Sequence, residues 1–294
     1  MKQQGHFLLM ERSEFRDWLQ KQTITRSISK LQVHHTASPN YTTRKKSNGI
    51  AHQDAFACLE GMRNYHVNTN KWRATGQNIT IMEDGRIAIS LDRDLNQTPA
   101  GIVNQNSGWI CMEIIGNFDA HHDVMTAEQQ RSVVHVYACL CDKLSIPIDT
   151  HHIAYHAWFT SSGIRLPDYT PGLSAKTCPG TSFWGHGNTV AAANQGFIPA
   201  IRQELERLQH NETVEQPMTA DEKQAFDELK KQVASLTLKA ALPHIPAYAQ
   251  PAIDELSKMK DKNGNPVLNT VHGRSQDFYD TLTILFRAGV IAQK

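Results

Sequence analysis

The chain has 294 residues, with 30 Lys+Arg against 29 Asp+Glu and a formal net charge of +1. That length suggests one domain of moderate size with something smaller attached, or two modest domains. The charge balance gives no pointer to nucleic acid or an acidic membrane surface, and no run reaches the roughly 18–20 apolar residues that span a bilayer.

At the N-terminus only Phe7-Leu8-Leu9-Met10 is apolar before charges resume. A secretory signal needs a longer apolar core and a cleavage site, so no signal peptide is expected and synthesis in a cytoplasm is. The next residues, 11–20, set Phe15, Trp18 and Leu19 among charges at the spacing of a surface helix. Leu31 to His35 reads as a short strand ending at the turn signal Thr36-Ala37-Ser38-Pro39-Asn40. Asp54 to Tyr65 has helical spacing through Phe56, Leu59 and Met62. Asn78 to Met82 and Arg86 to Leu91 flank Asp84-Gly85, which predicts a hairpin with a two-residue turn. Trp109 to Ile115 predicts an apolar strand, and Thr126 to Leu144 a long amphipathic helix capped by Thr126. A strand over Ile153 to His156 and a helix over Gly196 to Leu208 complete the region. Strands alternating with helices, one pair through a hairpin, give an α/β fold with a mixed central β-sheet flanked by helices.

Residues Gln209 to Met218 are polar, and a linker is expected at 211–218, between a domain at 1–210 and a small mainly helical C-terminal module at 219–294. In that module Phe226, Leu229, Val233, Leu236 and Ala240 form a heptad-like stripe, which is more often a packing face than a functional box. Two short helices, around Ala252 to Leu256 and Phe278 to Val290, are predicted on either side of a turn at Asn263 to Pro266.

The five cysteines are Cys58, Cys111, Cys139, Cys141 and Cys178. An odd number without a signal peptide argues against a disulfide framework. Four sit in apolar or helical contexts where a buried thiol is the plain reading, whereas Cys178 lies in the turn-rich Lys176-Thr177-Cys178-Pro179-Gly180. A catalytic zinc takes three protein donors and leaves a fourth position open. Candidate donors are His34 or His35, one of His151, His152 and His156, and Cys178. In a strand Gln32 and His34 share one face and Leu31, Val33 and His35 the other, which favours His34 as the one facing a cleft. A hydrogen-bonded histidine at a strand end is the competing reading. Glu113 stands in the otherwise apolar Trp109-Ile110-Cys111-Met112-Glu113-Ile114-Ile115. An unpaired buried carboxylate costs several kcal/mol, so such a group is paired, protonated or metal-associated. A raised pKa there suits a proton shuttle; a structural salt bridge is the alternative.

Val33-His34-His35-Thr36-Ala37 resembles the first metal motif of the type 2 N-acetylmuramoyl-L-alanine amidases, a group that includes phage lysozyme-amidases and the peptidoglycan recognition proteins. In order follow Gly76 to Gly85, which resembles the family's central hairpin, Asn106 to Asp119, which resembles its next strand, and Lys176-Thr177-Cys178-Pro179-Gly180, which resembles its closing motif. The resemblance covers roughly residues 28–208. It implies Zn2+ on His34, a second histidine and Cys178, with Glu113 moving the proton and Lys176 stabilising the oxyanion. Tyr155-His156 best matches the second-ligand motif, with His152 as the alternative on the same strand face. The sequence departs from the family in the long stretch Ala157 to Ala175, read either as a wall of the substrate groove or as an exposed decoration. It departs again at Gln77, where many relatives have Tyr. His66 matches a helix-end histidine of the family and is read as packing or supporting the site.

The resemblance further implies hydrolysis of the amide between N-acetylmuramic acid and L-alanine in bacterial peptidoglycan. The absence of an export signal and the separate module resemble a bacteriophage endolysin, held in the host cytoplasm until it reaches the cell wall. The module would then bind a cell-wall polymer or dimerise; its helices faintly resemble surface-layer-homology modules, and a merely packing appendage is the alternative. A cytoplasmic muropeptide-recycling amidase or an autolysin would share the chemistry, and a non-catalytic peptidoglycan-binding protein is the competitor from another class. No nucleic acid or membrane is expected as partner.

Overall fold

A computed structural model describes residues 1–44, 46–47, 50–51, 53–214, 227–232 and 242–291. The chain divides into two compact units, Met1–Thr213 and Val214–Lys294. In chain order the strands of the first unit are β1 (Lys2–Gln4), β2 (Phe7–Met10), β3 (Lys30–His35), β4 (Lys46–Ser47), β5 (Ile50–Ala51), β6 (Ile79–Ile81), β7 (Ile87–Ser90), β8 (Trp109–Ile114) and β9 (Ile153–Tyr155). Seven of them form one sheet in the order β1-β2-β7-β6-β8-β3-β9, while β4 and β5 pair with each other. The neighbours β6, β8, β3 and β9 run parallel, and β7, β2 and β1 continue the sheet antiparallel. The sheet is therefore mixed, as the pattern of elements predicts.

Both faces of the sheet are covered. Ile110, Met112 and Ile114 of β8, with Leu31 and Val33 of β3, enter the large core beneath α1 (Arg12–Gln20) and α4 (Ala127–Leu144). Phe15 and Leu19 bury the inner stripe of α1, and Val133, Val136, Tyr137 and Leu140 that of α4. The start of α4 is fixed by Thr126, whose Oγ1 accepts the Gln129 N–H at 3.1 Å. A second, smaller core lies on the opposite face, where Phe56, Leu59 and Met62 of α3 (Ala55–Asn64), which follows the single turn α2 (Tyr41–Arg44), meet Phe7, Leu9 and Ala88. Asp54 caps that helix by accepting the Ala57 N–H at 2.9 Å.

Three local expectations are revised. Phe7–Met10 is not a loose apolar patch but strand β2, paired residue for residue with β7. The Asp84-Gly85 turn belongs to a three-residue loop. Met82 donates to the Arg86 carbonyl at 2.9 Å and Gly85 to that of Met82 at 3.0 Å. Gly85 has φ +85°, and a Cβ there would stand 2.9 Å from the Glu128 carbonyl oxygen, so the turn packs onto α4 only as glycine. The last helix of the unit starts earlier and ends later than predicted. A short helical turn, α5 (Val190–Ala192), passes through the wider turn Ala193–Phe197 into α6 (Ile198–Val214), which runs on into the residues expected as linker.

In the second unit α7 (Gln250–Lys258) and α8 (Gln276–Arg287) enclose a small core of Ala249, Ile253 and Tyr279. The predicted turn is a tight reversal in which Asp261 donates to the Asn265 carbonyl at 2.8 Å. Of the heptad-like stripe, Phe226, Val233, Leu236 and Ala240 lie outside the described residues, and Leu229 is exposed.

Candidate active site

The cleft opens at the carboxyl ends of the parallel strands, where open α/β sheets gather ligands. Register explains which side chains reach it. His34 of β3 lies beside Glu113 of β8, and Glu113 beside Thr80 of β6, so all three project from one face of the sheet. His156 continues the row, one residue beyond the last paired position of β9, where Tyr155 pairs with Val33. The other face of β3 takes Val33 and His35 into the core. His35 is buried, and its Nδ1 accepts the Phe118 N–H at 3.1 Å.

Cys178 arrives from the far end of the long stretch after β9. The His35 N–H points at its Sγ at 3.3 Å, and the Ala157 N–H donates to its carbonyl at 2.7 Å. The donor atoms of His34, His156 and Cys178 thereby come within 4.8 Å of one another. His152, the alternative, is turned away: its Nδ1 meets Asp149 Oδ1 at 2.7 Å.

The electrostatics suit a metal. Burial, reinforced by His156, Lys176 and His35, holds the pKa of His34 well below the ordinary imidazole value. Burial, with Lys176 and His35, brings that of His156 down to about 4. Both rings are thus neutral near pH 7 and offer lone pairs. Their Nδ1 atoms face each other at 3.2 Å, close to the roughly 3.3 Å separating two nitrogens bound tetrahedrally at about 2.0–2.1 Å from one zinc. Burial, reinforced by Glu113, pushes the Cys178 thiol up, so its thiolate form calls for a cation beside it. Two imidazoles and a thiol make a borderline-soft donor set that fits Zn2+.

Across the cleft stands the acid. Glu113 Oε2 is shielded from solvent and has no hydrogen-bond partner among the described residues. Burial raises the Glu113 pKa to about 8, against the opposing pull of the Lys176 charge. Lys176 is exposed and lines the same cleft. Gln77, at the position where tyrosine is common among the relatives it resembles, is buried here. Its Nε2 donates to Thr80 Oγ1 at 2.9 Å, while its Oε1 has no partner among the described residues.

The cleft measures about 1040 Å³ and extends from these groups to Met62, Tyr65, His66 and Trp72. His66 stacks on Trp72 at 4.9 Å and accepts the Gly76 N–H at 3.1 Å, which makes it a wall of the cleft. The stretch Ala157 to Ala175 contributes no residue to the lining. Arg165 folds it back by covering Trp158 and Phe159 and donating to the Thr150 carbonyl at 2.6 Å. Of the two readings of this stretch, groove wall or exposed decoration, the first finds no support among the lining residues, and the stretch is a strap that returns the chain to Cys178. Cys111 is the cleft residue that sequence reading passed over as a plain buried thiol. It lies two residues before Glu113 on the same face, and His34, Cys111 and Glu113 also fall within 4.8 Å of one another.

These features define an α/β protein with a histidine–cysteine donor triad and a buried acid at one cleft. Residues 24–181 match the family model described as N-acetylmuramoyl-L-alanine amidase (Amidase_2). That is more than half of the chain, and the chain belongs to this family. Similar solved structures include Drosophila PGRP-LB, at 16% identity and TM-score 0.40, over 57% of this chain and 86% of that one. The endolysin LysCS of Clostridium intestinale is 17% identical with TM-score 0.36, over 53% and 76%. Apis mellifera PGRP-SA is 19% identical with TM-score 0.39, over 53% and 79%. No curated protein matches the chain. The family assignment rests on the sequence model and not on these remote likenesses.

Proposed function

We propose that this chain hydrolyses the amide between N-acetylmuramic acid and L-alanine in peptidoglycan, with zinc held by His34, His156 and Cys178, and that it serves as a phage endolysin. The observation that carries this reading is the convergence of three donors from distant segments, within 4.8 Å, beside a carboxylate whose shielded Oε2 has no partner among the described residues. Zinc bound there supplies a Lewis acid and brings the pKa of a bound water toward ~7. Glu113 Oε2 takes the proton of the attacking water. The lactyl carbonyl carbon of the muramic acid gains the water oxygen, its bond to the L-alanine nitrogen breaks, and the proton held by Glu113 ends on that nitrogen. Lys176, exposed on the same cleft, offers a fixed positive charge to the oxygen that becomes negative on the way. The 219–294 module holds the enzyme at the wall polymer or pairs two copies of it.

The test is to measure zinc per chain together with release of stem peptide from purified walls. About one zinc per chain and newly exposed L-alanine amino groups are expected. Walls that are bound with no new amino groups would mark a binding protein instead.

A further inference from the structure

We infer that Gln32 is a positioning residue that sets the tautomer of His34, so that its Nδ1 presents a lone pair to the metal; this rests on the reading of His34 as a ligand. Directions of hydrogen bonds carry the argument, and they can be followed from backbone groups whose roles are fixed. The N–H groups of Gly101 and Ile102 both donate to the side-chain oxygen of Asn106, at 2.9 and 3.0 Å. That assigns the Asn106 amide. The amide nitrogen of Gln32 donates to the Gln105 carbonyl at 2.8 Å and approaches the Asn106 oxygen at 3.4 Å. Both partners can only accept, so this atom is the nitrogen and its neighbour Oε1 is the acceptor. Oε1 lies 3.0 Å from His34 Nε2, which must therefore carry the proton. His34 Nδ1 is left as the lone pair, 3.2 Å from His156 Nδ1.

The relay is held tightly. Gln32 is completely buried, and its backbone carbonyl accepts the Tyr137 hydroxyl at 2.9 Å. Gly101 lies so close that a Cβ on it would stand 2.1 Å from Gln32 Oε1 and 3.1 Å from His34 Nε2. A glycine at 101 is what allows the backbone of the 101–106 segment to close on the glutamine. Among the described residues, His156 Nδ1 has His34 as its hydrogen-bond partner and no counterpart of Gln32. In the metal-free chain the proton between the two rings therefore sits on His156, which donates it to His34. The two rings hold opposite tautomers without metal, and His156 alone has to change on loading. A metal-binding histidine whose other nitrogen is fixed in this way commonly loses 10–100-fold in metal affinity when that partner is removed.

The experiment uses the full-length chain with 15N-labelled histidine. Long-range proton–nitrogen spectra of the metal-free wild type are expected to show His34 protonated at Nε2 and His156 at Nδ1. In Gln32→Met, which keeps the volume and removes the acceptor, the His34 preference is lost and zinc affinity, read by competition with a chelating dye, falls about 10–100-fold. Gln32→Glu keeps an acceptor and retains the Nε2-protonated ring. Wild-type His34 found protonated at Nδ1 overturns the inference without any variant having to fold. So does a folded Gln32→Met with an unchanged tautomer and zinc affinity within about twofold of wild type. A wild-type chain that takes up no zinc defeats the ligand reading, and the tautomer spectra report separately on Gln32.

Discussion

On the His34 side of the cleft the polar atoms are paired in a chain that runs from backbone donors through Asn106 and Gln32 to the ring. On the Gln77–Glu113 side two buried oxygens, Gln77 Oε1 and Glu113 Oε2, have no partner among the described residues. A buried polar atom left unpaired costs about 1–3 kcal/mol, and more for a charged group. The fold thus spends hydrogen bonds where geometry has to be held and leaves them open where a proton has to move. One wall is suited to gripping an ion and the other to meeting a substrate or water.

The comparison breaks most completely if the gripping wall loses a donor. Cys178→Ala is expected to lose stoichiometric zinc and with it all measurable amide hydrolysis, while the sheet stays folded; metal analysis and circular dichroism check this. Glu113→Gln acts on the other wall alone. It is expected to keep zinc and lose about 10²–10⁴-fold in turnover, the range of a general acid–base group. It also has a pH signature in the metal-free chain. The folded state holds the Glu113 proton up to about 8, whereas the ordinary carboxyl releases it near 4.5. The contribution of this group to stability therefore falls as pH rises through that window, because the folded state binds the extra proton. Glu113→Gln removes that slope, which urea unfolding with a chelator present at several pH values measures. Lys176→Met sharpens the contrast with a smaller effect. Turnover is expected to drop about 10²–10³-fold, as for loss of one oxyanion donor. In the metal-free chain the Glu113 pKa moves above about 8, since the Lys176 charge is what pulls it down; carboxyl 13C titration reads the shift.

Much of the gripping wall was legible in the sequence. Period-2 alternation favours His34 over His35, because the apolar Leu31 and Val33 have to face the core, and the resemblance of Val33 to Ala37 to a metal motif points the same way. The choice between His156 and His152 was not legible. It depends on where β9 ends, which pairing with β3 settles, and on the local contact by which Asp149 holds His152. Strand β2 was missed because Phe7–Met10 lies between two cores and is apolar throughout, which removes the alternation that marks a half-buried strand. The pairing of Gln32 with residues 101–106 joins positions some 70 apart, and no local pattern reports such a contact. The strap after β9 could be read either as a groove wall, since long stretches beside sites often are, or as an exposed decoration. Its route was decided by Arg165 and the two aromatic rings under it.

The tie between the His35 N–H and Cys178 Sγ has a consequence for biosynthesis. A ribosome delivers β3, β6 and β8 long before it has translated the Lys176–Gly180 turn. Until that turn docks, a nascent chain lacks Cys178 at the cleft, and the three-donor set proposed to hold zinc is incomplete. On the proposed zinc reading, ion capture would then be a late step in maturation, coupled to closure of the last loop and not to the first appearance of the sheet.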